Sequence, residues 1–442
     1  MEILNKYLSA VVLPIVLLIC AIFFLIKLRG KPIFNPLLII KSIFRKPSNG
    51  GAMPIKAVFL ALAGTLGVGN IVGVASAIYL GGAGSVFWMW ISAFFAMILK
   101  YAEVVLAIKY RKSRNGEYYG GAVYYMSECF KNINGVGYIY TLVFSFLCLM
   151  NCFSMGCMIQ SNSISDAFEQ VLKVPSIVIG LLVAFLSIIV FFFNGRLLFS
   201  LCEKMVPLVS IIYCSMCLIS VINSYEKVPL VFLQIIKDAF TFEAAGTGMF
   251  GYLISKSIRY GTVRGLFSNE AGCGTSPIAH ATANTNSPFE QGCLGIVEVF
   301  IDTMLICTLT AFVILTNGND ALVRGDSSIM IVFSSFSVSL GSMTNIILCI
   351  CVFLFAFATI VCWGYYGKEC IYYLNSSKRA EKVFYLAYVV FVFLGAVMKM
   401  EFVWQIADFS IAMMTLMNLF VLILMNKKVK YETDLYMKRA LK

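Results

Sequence analysis

The chain has 442 residues, of which 60% are hydrophobic and 13% are charged, and its mean hydropathy is +0.88. This composition excludes a soluble globular domain and predicts a polytopic membrane protein. The formal net charge is +12, but the basic residues are not clustered with aromatic residues, which argues against nucleic-acid binding.

Hydropathy predicts eleven membrane spans, since one span needs about 20 apolar residues. We number them as a leading span and spans 1 to 10. Their centres lie near residues 18, 68, 97, 150, 183, 212, 250, 305, 355, 390 and 415. The leading span, Leu8–Lys27, has an apolar run too long for a signal peptide. It also lacks a basic start and a small-residue cleavage site, so we expect it to be retained.

Basic residues are concentrated in alternate loops. The loop after the leading span holds seven lysines and arginines and no acidic residue. The other basic segments are 109–131, 196–204, 256–264, 368–382 and the tail from Lys427. The positive-inside rule therefore predicts an outside N-terminus and a cytoplasmic C-terminus.

Span 1 is rich in glycine in its first half, at Gly64, Gly67, Gly69 and Gly73. Five spans later, span 6 reads "AAGTGMFGYLIS", with Gly246, Gly248 and Gly251. Two glycine-broken segments at matching places in two five-span halves are typical of inverted-repeat transporters. The alternative is that the glycines only allow close helix packing, as in Gly69-x-x-x-Gly73.

A broken span exposes backbone groups at membrane depth, which is tolerated where they line a cavity or meet a ligand. The new helix N-terminus carries a partial positive charge that suits a carboxylate. The new C-terminus presents carbonyl groups that suit a small cation. A single break can therefore bind an amino-acid carboxylate together with Na⁺.

Several ionisable residues fall inside or beside the predicted spans. Glu298 and Asp302 are four residues apart in span 7 and share a helix face. They either border an ion path or bond to the polar stretch 264–291, which we place on the cytoplasmic side. Lys100 and Glu103 in span 2 are expected to form a structural ion pair, with a proton relay as the alternative. Arg264 and Glu270 are expected to belong to an inner gate.

Cofactor and enzyme motifs are absent from the sequence. The fifteen cysteines are scattered, and His280 is the only histidine, so a zinc site with several histidines is excluded. "GVGNIVG" does not have the spacing or the strand context of a dinucleotide loop. The serine elbow G-x-S-x-G is also missing. We therefore expect no enzymatic activity and no cofactor.

Two long motifs resemble signatures of the alanine/glycine:cation symporters. They are "GVGNIVGVASAIYLGGAGSVFWMW" and "RGLFSNEAGCGTSPIAHATA" (264–283), and shorter similarities extend over residues 54–425. The resemblance implies an all-α integral membrane protein, in which the leading helix precedes a LeuT-like 5+5 inverted repeat with broken helices 1 and 6. It also implies Na⁺-coupled uptake of a small neutral amino acid across a bacterial or archaeal cytoplasmic membrane. We expect the protein to be a monomer.

The resemblance divides the chain into three parts. Residues 1–53 are a leading helix and basic linker, and residues 54–425 are the transporter core. The core contains a first repeat, 54–222, and a second repeat, 240–425. Residues 426–442 are a short cytoplasmic tail.

The resemblance also implies site residues. The expected substrate-binding residues are Gly67, Val68, Gly69, Asn70, Gln160, Thr247, Gly248, Met249, Gly251 and Trp363. The expected Na⁺ ligands are Gly64, Thr65, Gly67, Asn70 and Thr359, with Na⁺ as coupling ion. Independently of the resemblance, charge and position assign Glu298, Asp302, Arg264 and Glu270 to a gate or ion path.

The sequence departs from the family pattern at Val68, Cys157, Thr247, Met249 and Ala358, which replace residues that are more often polar or smaller. These departures leave alternatives open. The first is a changed amino-acid specificity or coupling to H⁺. The second is a sensor that binds an amino acid without transporting it.

Overall fold

The computed structural model describes residues 5, 7–44, 47, 53–114, 116–193, 195–240 and 256–440. Within these ranges the chain is almost entirely helical. One short antiparallel hairpin pairs β1 (Lys112–Arg114) with β2 (Glu117–Tyr119).

The helices are α1 Leu13–Lys27, α2 Pro36–Ile43, α3 Ile55–Thr65, α4 Val72–Gly81, α5 Gly84–Tyr110, α6 Ala122–Cys129, α7 Val136–Leu172, α8 Ser176–Phe192, α9 Gly195–Asn223, α10 Val228–Ala239, α11 Lys256–Asn269, α12 Ser276–Ala281, α13 Pro288–Asn317, α14 Asn319–Arg324, α15 Ser328–Leu340, α16 Thr344–Leu374, α17 Lys378–Val397, α18 Glu401–Leu424 and α19 Asn426–Ala440.

Seven helices of the described residues are long and apolar enough to cross a membrane, and the bent pair α3–α4 makes an eighth. Helices α1, α8 and α15 are apolar but shorter. The protein is therefore a multi-pass membrane protein.

Helix α5 lies at the centre of one group of helices. It begins after Gly82, whose φ of 74° reverses the chain in a conformation that favours glycine. It packs against α1, α10, α11, α12 and α13. Enclosed in this way, α5 buries Lys100 and Glu103 completely.

Helix α16 organises the other group, and it packs against α3, α7, α9 and α17. A π-helical segment, Cys152–Met158, interrupts α7 where it meets α16. A Cβ at Gly156 would lie only 2.6 Å from the Cβ of Trp363, so a glycine is needed for this approach.

Helix α11 runs parallel to α5 and starts from the same end of the molecule. Ser257 Oγ donates a hydrogen bond to the carbonyl of Gly81 (2.6 Å), and Gly261 packs against Ser85. The end of α11 lies beside Lys100, halfway along α5. Residues 256–264 therefore lie at the end where α4 finishes, opposite the start of α3. The prediction that residues 256–264 lie on the same side as the basic loop before α3 is therefore wrong. Helix α11 packs against α5, and a polar helix that is shielded in this way has the composition of a loop.

Most of the C-terminal segment forms helix α19, which packs against the rest of the protein. Thr433 of α19 is fully buried and hydrogen-bonds Tyr101 Oη of α5 (2.7 Å). Tyr436 stacks on Phe289 at the start of α13, with ring centroids 4.2 Å apart. Helix α19 therefore packs against α5 and against the start of α13.

Candidate functional site

The first break in a helix occurs where the glycine pattern predicted it. Helix α3 ends at Thr65, a 3₁₀ turn covers Val68–Asn70, and α4 leaves at 65° to α3. A Cβ at Gly67 would lie 2.7 Å from Thr359 Oγ1 and 2.8 Å from Gln160 Oε1. The backbone therefore approaches both side chains more closely than any other residue type would permit.

Two neutral side chains hold this break. The backbone N–H of Val68 donates to Gln160 Oε1 (3.1 Å). Thr359 Oγ1 of α16 donates to the carbonyl of Ala63 in the last turn of α3 (2.9 Å). These contacts bring the predicted residues Gln160 and Thr359 to the break.

Asn70 lies in a buried polar cluster with α11 and α13. Its Nδ2 donates to Asp302 Oδ1 (2.8 Å) and to Ser268 Oγ (2.9 Å). Asp302 Oδ2 accepts further hydrogen bonds from Ser268 Oγ and Thr303 Oγ1, both 2.7 Å. No ion pair to Asp302 is found among the described residues. Asp302 is therefore a fully buried carboxylate that is stabilised by neutral donors alone.

Several buried polar atoms around the first break have no hydrogen-bond partner. They are Thr65 Oγ1 and Asn70 Oδ1, and Trp363 Nε1 on the neighbouring helix α16 is also unpaired. Trp363 lies one turn beyond Thr359 on α16 and is fully buried. Unpaired buried polar groups are rare in folded proteins, so these atoms are available to a ligand, an ion or a water molecule.

A second break separates α11 from α12 at residues 270–275. Glu270, Gly272 and Gly274 all have positive φ angles, of 50°, 84° and 82°. Asn269 Nδ2, at the end of α11, donates to Thr303 Oγ1 (3.2 Å). The second break thus adjoins the Asn70–Asp302 cluster. The predicted break residues Gly246, Thr247, Gly248, Met249 and Gly251 lie outside the described residues.

The break at residues 270–275 was not predicted, because the stretch that contains it was interpreted as a polar loop. Stretch 264–291, interpreted as a cytoplasmic loop, instead contributes the end of α11, the break, α12 and the start of α13. It is polar because its side chains bond to one another inside the protein. The signal that could have identified this break is the pair Gly272 and Gly274, which follows "SNEA". Ser268, in the same stretch, was not among the predicted site residues.

The buried ion pairs also differ from the expected ones. Lys100 Nζ pairs with Glu298 Oε1 (3.2 Å), and not with Glu103. Glu298 Oε2 lies 2.9 Å from His280 Nε2. Glu103 instead accepts the backbone N–H groups of Gly272 and Gly274 (3.0 and 2.8 Å). The reason is that α5 faces the second break, which offers partners nearer than a neighbour on the same helix.

Aromatic residues cover the cluster on the side where α4 ends. Phe267 precedes Ser268, and its ring centroid lies 5.1 Å from that of Trp404 on α18. The guanidinium of Arg264 lies over the Trp404 ring at 4.7 Å. Arg264 is therefore on the opposite side of the cluster from the start of α3.

A cavity of about 800 Å³ lies on the other side, where α3 begins. Its lining includes Lys56, Leu60, Glu203, Tyr365 and Glu369. Lys56 Nζ and Glu203 Oε2 form an ion pair across it (2.7 Å). Leu60 is one turn from Gly64, so the cavity extends almost to the first break.

A family model described as "Sodium:alanine symporter family" matches residues 1–442. The "Sodium/alanine symporter AgcS" of Methanococcus maripaludis is 35% identical over 392 residues, which are 88% of this chain and 85% of that protein. The "Probable sodium/glutamine symporter GlnT" of Bacillus subtilis is 32% identical over 434 residues, 96% of this chain and 87% of the relative.

Among solved structures, a Na⁺-coupled sialic acid symporter in a substrate-bound outward-open state superposes with a TM-score of 0.57. The match covers 85% of this chain and 81% of that chain at 11% identity. At this identity the similarity concerns the fold alone.

Proposed function

Because the chain belongs to the sodium:alanine symporter family, we propose that it takes up a small neutral amino acid together with Na⁺ by alternating access. The protein is a transporter and not an enzyme. Its partners are the amino acid, Na⁺ and the membrane lipid, and it needs no cofactor.

The buried carboxylate of Asp302 carries the proposal. A buried charge with only neutral partners is costly, and a bound cation offsets that cost. Asp302, Ser268 and Thr303 already supply oxygen atoms within one cluster. A rotation of the Asn70 amide by 180° adds Oδ1, which has no partner at present. These hard oxygen ligands suit Na⁺.

The first break supplies the substrate site. The positive end of α4 and its 3₁₀ turn points into the break and suits the substrate carboxylate. The predicted residues Gly67, Val68, Gly69 and Asn70 line this turn. Gln160 contacts it, and we assign Trp363, one turn beyond Thr359 on α16, to the wall of the site because its buried indole N–H has no partner. A second Na⁺ would lie near Gly64, Thr65 and Thr359, where carbonyls from the last turn of α3 meet two hydroxyls.

The architecture proposed for this function keeps eleven spans, which are the leading span and the ten spans of a 5+5 repeat within residues 54–425. Span 6 becomes α11, the break and α12. The N-terminus lies outside and the C-terminus in the cytoplasm of a bacterial or archaeal cell. In this orientation the 800 Å³ cavity opens to the cytoplasm. The Phe267–Trp404 contact closes the outer side, so the conformation is inward-facing.

The test is uptake of radiolabelled alanine, glycine, serine and glutamine by the full chain in liposomes. An imposed inward Na⁺ gradient should drive uptake, and replacing Na⁺ with K⁺ should abolish it. Uptake that follows a pH gradient and ignores Na⁺ would replace the proposal with H⁺ coupling. The panel also tests the alternative of a changed specificity, which the glutamine symporter among the relatives favours.

A further inference from the structure

Lys100 of α5 contacts both halves of the second broken helix. Its ammonium donates to the carbonyl of Asn269, the last residue of α11 (2.8 Å). It also donates to Ser276 Oγ, in the first turn of α12 (2.5 Å). Its third partner is Glu298 Oε1 on α13 (3.2 Å). All three ammonium protons therefore have acceptors, and one side chain connects three helices.

Glu103, nearly one turn further along α5, provides the opposite charge. Its carboxylate accepts the N–H groups of Gly272 and Gly274 within the break. Asn418 Nδ2 of α18 donates to the same carboxylate (2.5 Å). The protein thus places a cation at the carbonyl end of α11 and an anion at the freed N–H groups. Each side-chain charge is opposite in sign to the partial charge of the backbone groups that it contacts, so both interactions are favourable.

The two breaks differ in this respect. The first break is held by Gln160 and Thr359, which are neutral. Among the described residues no charged side chain hydrogen-bonds to its backbone. The backbone groups of the second break already bond to charged side chains, so this break is rigid. The backbone groups of the first break are available to a ligand.

Lys100 also fixes α11 against α13 close to the Asp302 cluster. Glu298 and Asp302 are one turn apart on α13. Lys100 joins the end of α11 to Glu298, and Ser268 joins it to Asp302. Loss of the first attachment would let the end of α11 move, and Ser268 and Asn269 would move with it.

We propose that Lys100 is a positioning residue for the Na⁺ site, because it holds both halves of the second broken helix so that Ser268 and Asn269 meet Asp302 and Thr303. This inference rests on the proposed Na⁺-coupled function. It assigns Lys100 and Glu298 to the geometry of the site and to no direct contact with Na⁺ or substrate.

The test removes the two charges together, since a single change would leave an unpaired buried charge. The double variant is Lys100→Met with Glu298→Gln, in which glutamine keeps an oxygen and an N–H group for His280. Its Na⁺ concentration for half-maximal binding should rise about tenfold, the effect of one lost charge-assisted hydrogen bond. Alanine KM at saturating Na⁺ should stay within about twofold, since the first break is intact.

The matched control neutralises another ion pair of the same helix. Lys109 of α5 pairs with Glu432 of α19, far from the cluster. Lys109→Met with Glu432→Gln should leave half-saturation by Na⁺ unchanged. Direct ²²Na⁺ binding to the purified full chain is measured beside uptake, and melting temperature reports folding.

A folded double variant with the Na⁺ affinity of the wild type would overturn the inference. If the double variant does not fold, Ser276→Ala provides the same test without any change of charge. It removes one of the three Lys100 contacts and should weaken Na⁺ binding about threefold; unchanged binding overturns the inference. Wild-type protein that does not bind ²²Na⁺ would instead refute the proposed function.

Discussion

Gly67→Ala tests whether the first break must keep its close backbone approach. The new Cβ would lie 2.7 Å from Thr359 Oγ1 and 2.8 Å from Gln160 Oε1. Both oxygens are already engaged, in the bonds to the Ala63 carbonyl and from the Val68 N–H. The methyl group must displace at least one of them, and each buried hydrogen bond lost costs about 1 to 3 kcal/mol.

The hydrogen bonds that would be lost are those that hold the first break in the geometry that binds the ligands. At about 1.4 kcal/mol for each factor of ten, one lost bond predicts a roughly tenfold rise in alanine KM or in the Na⁺ needed for half-maximal uptake. Loss of both bonds predicts about a hundredfold rise. The assay is Na⁺-driven alanine uptake in liposomes, with melting temperature measured on the same preparations.

Gly73→Ala is the matched control on the same broken helix. A Cβ at Gly73 meets no atom within 4 Å, and the residue lies inside α4. Alanine is favoured over glycine in a helix by about 1 kcal/mol, so this variant should transport normally and melt no lower than wild type. The reasoning is refuted if folded Gly67→Ala protein transports within twofold of the wild type.

Substitutions at three further positions test the site. Asn70→Ala removes the contacts to Ser268 and Asp302 and should abolish uptake while membrane insertion persists; uptake within twofold of wild type would contradict the site. Asp302→Asn keeps the size of the side chain but removes the charge, so ²²Na⁺ binding should be lost at concentrations that saturate the wild type, and retained binding would exclude Asp302 as the cation site. Thr359→Val should raise the Na⁺ needed for half-maximal uptake several-fold, whereas Thr359→Ser, which keeps the hydroxyl, should not; equal Na⁺ dependence of the two variants would remove Thr359 from the ion site.

Local sequence patterns predicted the features that depend on local chemistry. The apolar runs indicated a multi-pass membrane protein, and the glycines of "GTLGVGN" marked the first break. The two family signatures indicated the sodium:alanine symporter family, which the comparisons confirm. Each of these depends on residues that are neighbours in the chain.

The second break and the partners of the buried charges required the tertiary structure. Polar "SNEAGCGTS" had the composition of an exposed loop, because hydropathy cannot distinguish water from internal hydrogen bonds as the partner of a polar group. Lys100 and Glu103 looked like a pair because they are three residues apart. Their partners in α11, the second break, α12 and α13 lie 169 to 198 positions away and are brought near only when these segments pack around α5.

The sequence by itself therefore determined that this protein lies in a membrane, where its first break is and to which family it belongs. The tertiary structure decided which residues form the Asp302 cluster and which end of the molecule carries Arg264. The physical reason is that burial free energy can be estimated from composition along the chain. The pairing of buried polar groups depends on distances that exist only in the packed protein.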